Sequence, residues 1–74
     1  MSNKFGWIKT GAMYNACRFT LMQNANRTCS NISHMLWEAL TNRDEQQLEN
    51  AIRELDLLKD EISEIRDFIK FPNE

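Results

Sequence analysis

The chain has 74 residues, of which 42% are hydrophobic, and its formal net charge at pH 7 is −2. This length excludes more than one domain and allows only a small core, whose marginal stability is commonly raised by oligomerisation. Two glycines are too few for a glycine-rich phosphate loop, and two cysteines with one histidine do not make a zinc site. We therefore expect no cofactor and no bound metal.

The two cysteines, Cys17 and Cys29, are predicted to be free thiols. On one helix they would lie about 18 Å apart at about 1.5 Å per residue, whereas a disulfide needs Cα atoms within about 7 Å of each other. Free thiols are typical of a reducing compartment, and the sequence shows neither a signal peptide nor an apolar run long enough for a membrane span. The predicted location is cytoplasmic, without membrane contact.

Residues 1–10 are predicted to form an aromatic arm ahead of the helices. The arm contains Phe5 and Trp7. One interpretation is that these side chains pack over the end of the helices. The other is that they anchor a partner, because Trp and Phe are enriched at protein interfaces.

A first helix is predicted over residues 11–40, with Thr10 as its N-cap. Residues that can face a core recur along it in steps of three and four. They are Cys17, Leu21, Ala25, Thr28, Ile32, Met35 or Leu36, and Ala39. Residues 23–33 are rich in Asn, Ser and Thr, which compete with the helix for backbone hydrogen bonds, so a break at residues 26–30 is the alternative. The continuous spacing, without Gly or Pro, favours one long helix.

A second helix is predicted over residues 44–69, where the apolar spacing is strongest. Its apolar row consists of Leu48, Ile52, Leu55, Leu58, Ile62, Ile65 and Ile69. Thr41 or Asn42 can cap its start. Phe71 and Pro72 end the hairpin, which therefore spans residues 11–71 and leaves a tail at residues 72–74.

The connection at residues 41–43 is so short that the two helices must run antiparallel. The predicted fold class is therefore all-α, an antiparallel helical hairpin. One hairpin alone leaves part of each apolar row in water, whereas two hairpins can close a four-helix bundle. We expect a homodimer whose core contains Leu48, Ile52, Leu55, Ile62 and Ile65.

Charge is divided unevenly between the two helices. Residues 1–43 carry five basic side chains and one acidic side chain, a net charge of +4, whereas residues 44–67 carry three basic and nine acidic side chains, a net charge of −6. One interpretation is that the helices complement each other. The other is that the first helix offers a basic, polar face to an anionic partner such as RNA or an acidic protein.

No arrangement of side chains suited to catalysis is recognisable. Around His34, the positions three and four residues away hold Ser30, Asn31, Trp37 and Glu38, which do not combine a nucleophile, a base and an acid. His34 and Glu38 are expected to form an ordinary surface pair, and Trp37 to be a core or flanking aromatic residue. The chain is therefore predicted not to be an enzyme.

Residues 15–19, with the sequence NACRF, and the following Gln23 resemble the first helix of the Rop family, small plasmid proteins that stabilise paired RNA loops. The RNA-contacting stripe of that family has Asn, Phe and Gln at intervals of four, as Asn15, Phe19 and Gln23 have here. Such residues share one helix face. The resemblance implies a dimeric, antiparallel four-helix bundle whose first helix binds RNA.

The opening of the second helix, residues 44–46, is also similar to that family. Two features depart from its pattern. The first helix is longer here, and Ser30 stands where the family has a basic residue further along the stripe.

Three functions are consistent with these patterns. The preferred one is a small non-enzymatic regulatory or inhibitory protein of phage or plasmid type, which acts on a protein partner as a helical homo-oligomer, an analogy from size and fold. The second is a Rop-like RNA-binding regulator with contacts from Asn15, Arg18, Phe19, Gln23 and Arg27. The third is an oligomer that holds a small anion such as a nucleotide with Arg18 or Arg27.

Overall fold

The fold consists of two helices in a computed structural model that describes residues 5–70. Helix α1 spans Gly11–Asn42 and helix α2 spans Glu45–Lys70. They pack against each other as a helical hairpin, which confirms the predicted all-α fold class. α1 is continuous, so the alternative break at residues 26–30 does not occur. Residues 1–4 of the predicted arm and residues 71–74, with the predicted helix stop, lie outside the described part.

The start of α1 is fixed by the residue that the sequence predicts. Thr10 has extended backbone angles, and its hydroxyl oxygen accepts a hydrogen bond of 3.1 Å from the backbone N–H of Met13. This bond satisfies one of the N–H groups that a helix start leaves without an internal partner. Just before it, the N–H of Ile8 donates to the carbonyl of Phe5 at 3.0 Å and closes a turn.

The connection between the helices consists of Arg43 and Asp44 alone. Arg43 adopts the left-handed conformation, with φ of 51° and ψ of 46°. The carboxylate of Asp44 then accepts hydrogen bonds from the N–H groups of Gln46 and Gln47, at 2.9 and 3.4 Å. The N-cap of α2 is therefore Asp44, and the predicted caps at residues 41 and 42 are wrong, because both residues continue the last turn of α1.

The polar middle of α1 stays helical because its facing residues can be buried there. Thr28 is buried, and its hydroxyl donates to the carbonyl of Asn24 at 3.1 Å, so the polar group is satisfied within the helix. The predicted facing row is confirmed, with Met35 rather than the exposed Leu36 on it. Few large apolar side chains are buried here, so this region contributes little apolar burial to the hairpin.

The largest apolar cluster of the hairpin lies at the end opposite the turn. Phe5, Leu21 and Phe68 are buried together. The ring of Phe68 meets the Phe5 ring edge-on at 5.3 Å and the Tyr14 ring at 4.7 Å. The arm therefore packs over the end of the helices through Phe5, as one of the two interpretations predicts.

Helix α2 carries two apolar rows, and only one of them faces α1. Ala51 and Phe68 are buried on the facing row, and Ile65 packs against the core cluster. Ile65 is therefore partly covered within the chain, and it also lines a depression beside Met22 and Ile69; its predicted place in a dimer core stays a prediction. The other four predicted dimer-core residues remain exposed; they are Leu48, Ile52, Leu55 and Ile62.

The hairpin is an elongated slab. Its radius of gyration is 16.0 Å and its extents are 49 × 24 × 14 Å. A compact domain of this length would have a radius of gyration of about 11 Å. Because the shortest dimension is close to the diameter of one helix with its side chains, both broad sides of the slab remain uncovered.

Replacing Phe68 by alanine is expected to destabilise the fold by about 3–5 kcal/mol, since the ring fills the centre of the only large cluster among the described residues. The matched control is Phe19→Ala, whose ring is 64% exposed and whose removal should change the free energy of unfolding by less than about 1 kcal/mol. Urea denaturation at one fixed protein concentration measures both. Equal losses for the two variants would contradict this assignment of the core.

Candidate functional site

Exposed apolar side chains follow one broad side of the hairpin, and we call this side the open face. Helix α2 contributes Leu48, Ile52, Leu55, Ile62 and Ile69, and helix α1 contributes Met22, Leu36 and Leu40, all of them exposed. Large apolar patches of this kind on a small protein mark interaction surfaces. The open face is therefore the first candidate site.

Two depressions lie at the ends of the open face and show that both helices contribute to the same side. The depression at the turn end has a volume of about 390 Å³ and brings Leu36 and Leu40 beside Leu48. The depression at the far end has a volume of about 180 Å³ and brings Met22 beside Ile69. Both are lined mainly by apolar side chains, so they suit apolar groups of a partner.

A second exposed feature lies on the side of α1 that faces away from α2, and we call it the outer ridge. Its two aromatic residues are Phe19 and Trp37, which are 64% and 62% exposed. Eighteen residues separate them, which is five helical turns, so they point in the same direction about 27 Å apart. The prediction that Trp37 is a core or flanking residue is wrong.

The predicted RNA contacts occupy different parts of the α1 surface. Asn15, Phe19 and Gln23 are all exposed, and each step of four residues turns the position by about 40° around the helix. Arg27 continues this sweep and is exposed, whereas Arg18 lines the far-end depression of the open face. The structure thus groups Asn15, Phe19 and Gln23 on the outer ridge and separates the two arginines.

Arg18 and Arg27 cannot hold one small anion within a single chain. They are nine residues apart on a straight helix, which places them about 180° apart around its axis and about 13 Å apart along it. A predicted anion site that uses Arg18 or Arg27 would therefore obtain only one of the two arginines from each subunit.

The two predicted partner anchors in the arm have different surroundings. Phe5 is only 5% exposed and belongs to the core cluster, so its prediction as a partner anchor is wrong. Trp7 is half exposed and lines a depression of about 270 Å³ with Thr20, Asn24 and other residues. This depression lies on the side of the hairpin opposite the open face, so the two surfaces are separate.

The titratable groups show little clustering. Between residues 5 and 70, no three His, Cys, Asp or Glu side chains lie close enough together to bind a metal ion. His34 and Glu38 form the predicted surface pair, with Nε2 and Oε1 3.3 Å apart.

Both cysteines are free thiols, Cys17 half-buried and Cys29 exposed. Burial raises the pKa of the Cys17 thiol, and the negative charge of Glu64 adds to this effect.

The raised pKa of Cys17 predicts slow reaction of its thiol with iodoacetamide, because the thiolate is the reacting form. In a Cys29→Ser variant, the labelling rate of the folded chain should rise at higher pH than that of the urea-unfolded chain. The two rates should converge above both pKa values. Identical pH profiles for folded and unfolded protein would contradict the structural assignment of this residue.

Neither described helix is long and apolar enough to cross a membrane.

Comparison with known proteins adds no relative: no protein-family model matches the chain, and no similar protein is found among curated proteins or solved structures. The resemblance to the Rop family therefore stays a prediction.

Proposed function

We propose that the chain is a non-enzymatic binding protein that acts as a homodimer. In this dimer the open faces of two hairpins pack together as a four-helix bundle, and the outer ridges remain available to a protein partner. The observation that carries the proposal is the row of large aliphatic side chains, exemplified by Ile52, Leu55 and Ile62, that one hairpin leaves exposed.

The exposed area of the chain supports a dimer of ordinary size. The chain exposes 5728 Å², whereas a compact monomer of 8.8 kDa would expose about 4,800 Å². The excess of about 900 Å² is close to the roughly 800 Å² that each partner buries in a standard protein interface.

The outer ridge is the part of the dimer best suited to a partner. It faces away from α2 and is not part of the open face, so dimerisation leaves it accessible. Exposed Phe and Trp are typical anchors of protein interfaces. The positive charge nearby is sparse, with Arg27 as the nearest arginine between the two rings, and nucleic-acid surfaces usually carry denser basic patches. These features favour a protein partner.

The dimer is tested by placing a charge on the open face. Leu55→Glu would bury two uncompensated carboxylates per dimer, so we expect dimer affinity to fall by at least about a hundredfold. The matched control is Leu57→Glu, also at an exposed leucine, which lies about 200° away around α2 and should leave affinity unchanged. Sedimentation equilibrium measures both. A monomeric wild type, or equal effects of both variants, would contradict the proposal.

A second candidate function, RNA binding, is favoured by one observation. Asn15, Phe19 and Gln23 are exposed together, so the Phe19 ring is free to stack on an unpaired base while the amides form hydrogen bonds. This is the surface that the Rop resemblance indicates. It overlaps the outer ridge, so the protein and the RNA hypotheses concern the same side of the dimer.

The two hypotheses for the outer ridge are separated by the chemistry of the captured molecule. Under the proposed function, immobilised wild-type protein should retain a stoichiometric protein from a cell lysate after nuclease treatment, and Phe19→Ala and Trp37→Ala should each lose it. The control Leu57→Ala, at an exposed leucine of α2, should retain it. If instead an RNA hairpin binds with an affinity that falls steeply with salt, and Phe19→Ala abolishes this binding in a folded dimer, the protein hypothesis is wrong.

A further inference from the structure

A row of side chains along the outer edge of α2 changes the sign of its charge halfway along the helix. We call it the edge row; it follows steps of four and three residues, which keep it on one side of the helix beside the open face. Its charged members are Glu45, Glu49, Asp56, Lys59, Arg66 and Lys70, all exposed. The first three are acidic and the last three are basic.

The edge row is antisymmetric about the middle of α2, which lies between residues 57 and 58. Lys70 is as far from this point as Glu45 is, Arg66 as far as Glu49, and Lys59 as far as Asp56. The two uncharged positions of the row, residues 52 and 63, are equidistant as well. Every acid of the edge row therefore has a base of the edge row at the mirrored position.

Two arrangements can join the open faces of two identical hairpins about a two-fold axis. With the axis across the helices, the copies run antiparallel and each α2 lies beside the α2 of the second copy. With the axis along the helices, the turns lie together and each α2 lies beside the α1 of the second copy. In that case the basic end of α2, with Arg66, comes close to the level of Arg18 of the second copy, where like charges repel.

We infer that two copies pack antiparallel, with Glu45, Glu49 and Asp56 of each copy beside Lys70, Arg66 and Lys59 of the other. This inference rests on the proposed dimer and specifies its geometry. The antiparallel arrangement pairs every charge of the edge row with its opposite, six pairs per dimer by symmetry. Opposite charges at flanking positions of helix pairs select partner and orientation.

The apolar groups of the open face fit the same axis. Along α2, Leu48 mirrors Ile69 and Leu55 mirrors Ile62 about nearly the same midpoint, so apolar residues face apolar residues. On α1 the two-fold axis passes near Cys29. Residues 22 and 36, which line the far-end and turn-end depressions, are equally many residues away from Cys29 along the helix.

The most exposed apolar side chain of the open face fits into this arrangement. Leu40 is 82% exposed. It is as far from Cys29 along α1 as Arg18, which lines the far-end depression. The antiparallel arrangement therefore places Leu40 of one copy over the far-end depression of the other, where Met22 and Ile69 can cover it.

A charge-swap cycle tests the orientation. Glu49→Arg places Arg beside Arg66 of the second copy, and Arg66→Glu places Glu beside Glu49, twice per dimer. We expect each single variant to weaken the dimer roughly tenfold at low ionic strength. The double variant Glu49→Arg/Arg66→Glu restores opposite charges and should return to within about threefold of wild type. Sedimentation equilibrium gives the affinities, and circular dichroism verifies that each variant is helical.

A second measurement uses the native thiols. In the antiparallel arrangement Cys29 lies near the two-fold axis beside Cys29 of the second copy, so a short bismaleimide should link wild-type subunits. Cys29→Ser should abolish the link, and Cys17→Ser should not. A monomeric wild type would overturn both the proposed dimer and this geometry. Two outcomes with a dimeric wild type would overturn the antiparallel geometry alone. One is a double charge variant whose loss of dimer affinity equals the sum of the losses of the two single variants. The other is a failure of Cys29 to cross-link.

Discussion

Packing between two helices can cover only one of the apolar rows that run along α2, and the rest of the structure depends on this constraint. The row with Ala51, Ile65 and Phe68 faces α1. The buried residues of α1 are Leu21 and Thr28. The neighbouring row is turned by roughly a quarter of the helix circumference and cannot reach the same partner. A hairpin of this sequence therefore folds with an exposed apolar surface, on which the proposed dimer rests.

Stability is distributed unevenly along the hairpin. Aromatic rings are concentrated at the end away from the turn, where Phe68 contacts Phe5 and Tyr14. The middle contains Thr28 and the small Ala51 as its buried residues, and the turn is held by backbone hydrogen bonds and by Asp44. Apolar burial contributes most of the favourable free energy of a small fold, so the middle has most to gain from further coverage.

The sequence alone predicts both helices and their direction because these depend on local spacing and on the length of one connection. The N-cap Thr10 is predictable for the same reason. Neighbouring rows of α2 are both apolar, so periodicity alone does not show that the row with Ala51, Ile65 and Phe68 is the one that meets α1. The exposure of Trp37 and the burial of Phe5 depend on how the helix is rotated and where the arm crosses, and neither is a local property.

The candidate site was predictable in part. The exposed positions of Leu48, Ile52, Leu55 and Ile62 follow from an apolar stripe that is wider than one contact line. The separation of Arg18 from the outer ridge required knowing which side of α1 meets α2. The antisymmetric charges of the edge row are present in the sequence, yet they become informative only when their common side is known to border an exposed apolar surface.

The connection of two residues between the helices has a consequence for the proposed dimer. Arg43 adopts a backbone conformation that costs a residue with a side chain about 1–2 kcal/mol, and the closed hairpin retains this strain. A short strained connection invites exchange of helices between molecules, because straightening it relieves the strain. In a proposed dimer with exchanged helices, the contacts of Phe68 with Phe5 and Tyr14 would form between two polypeptides instead of within one.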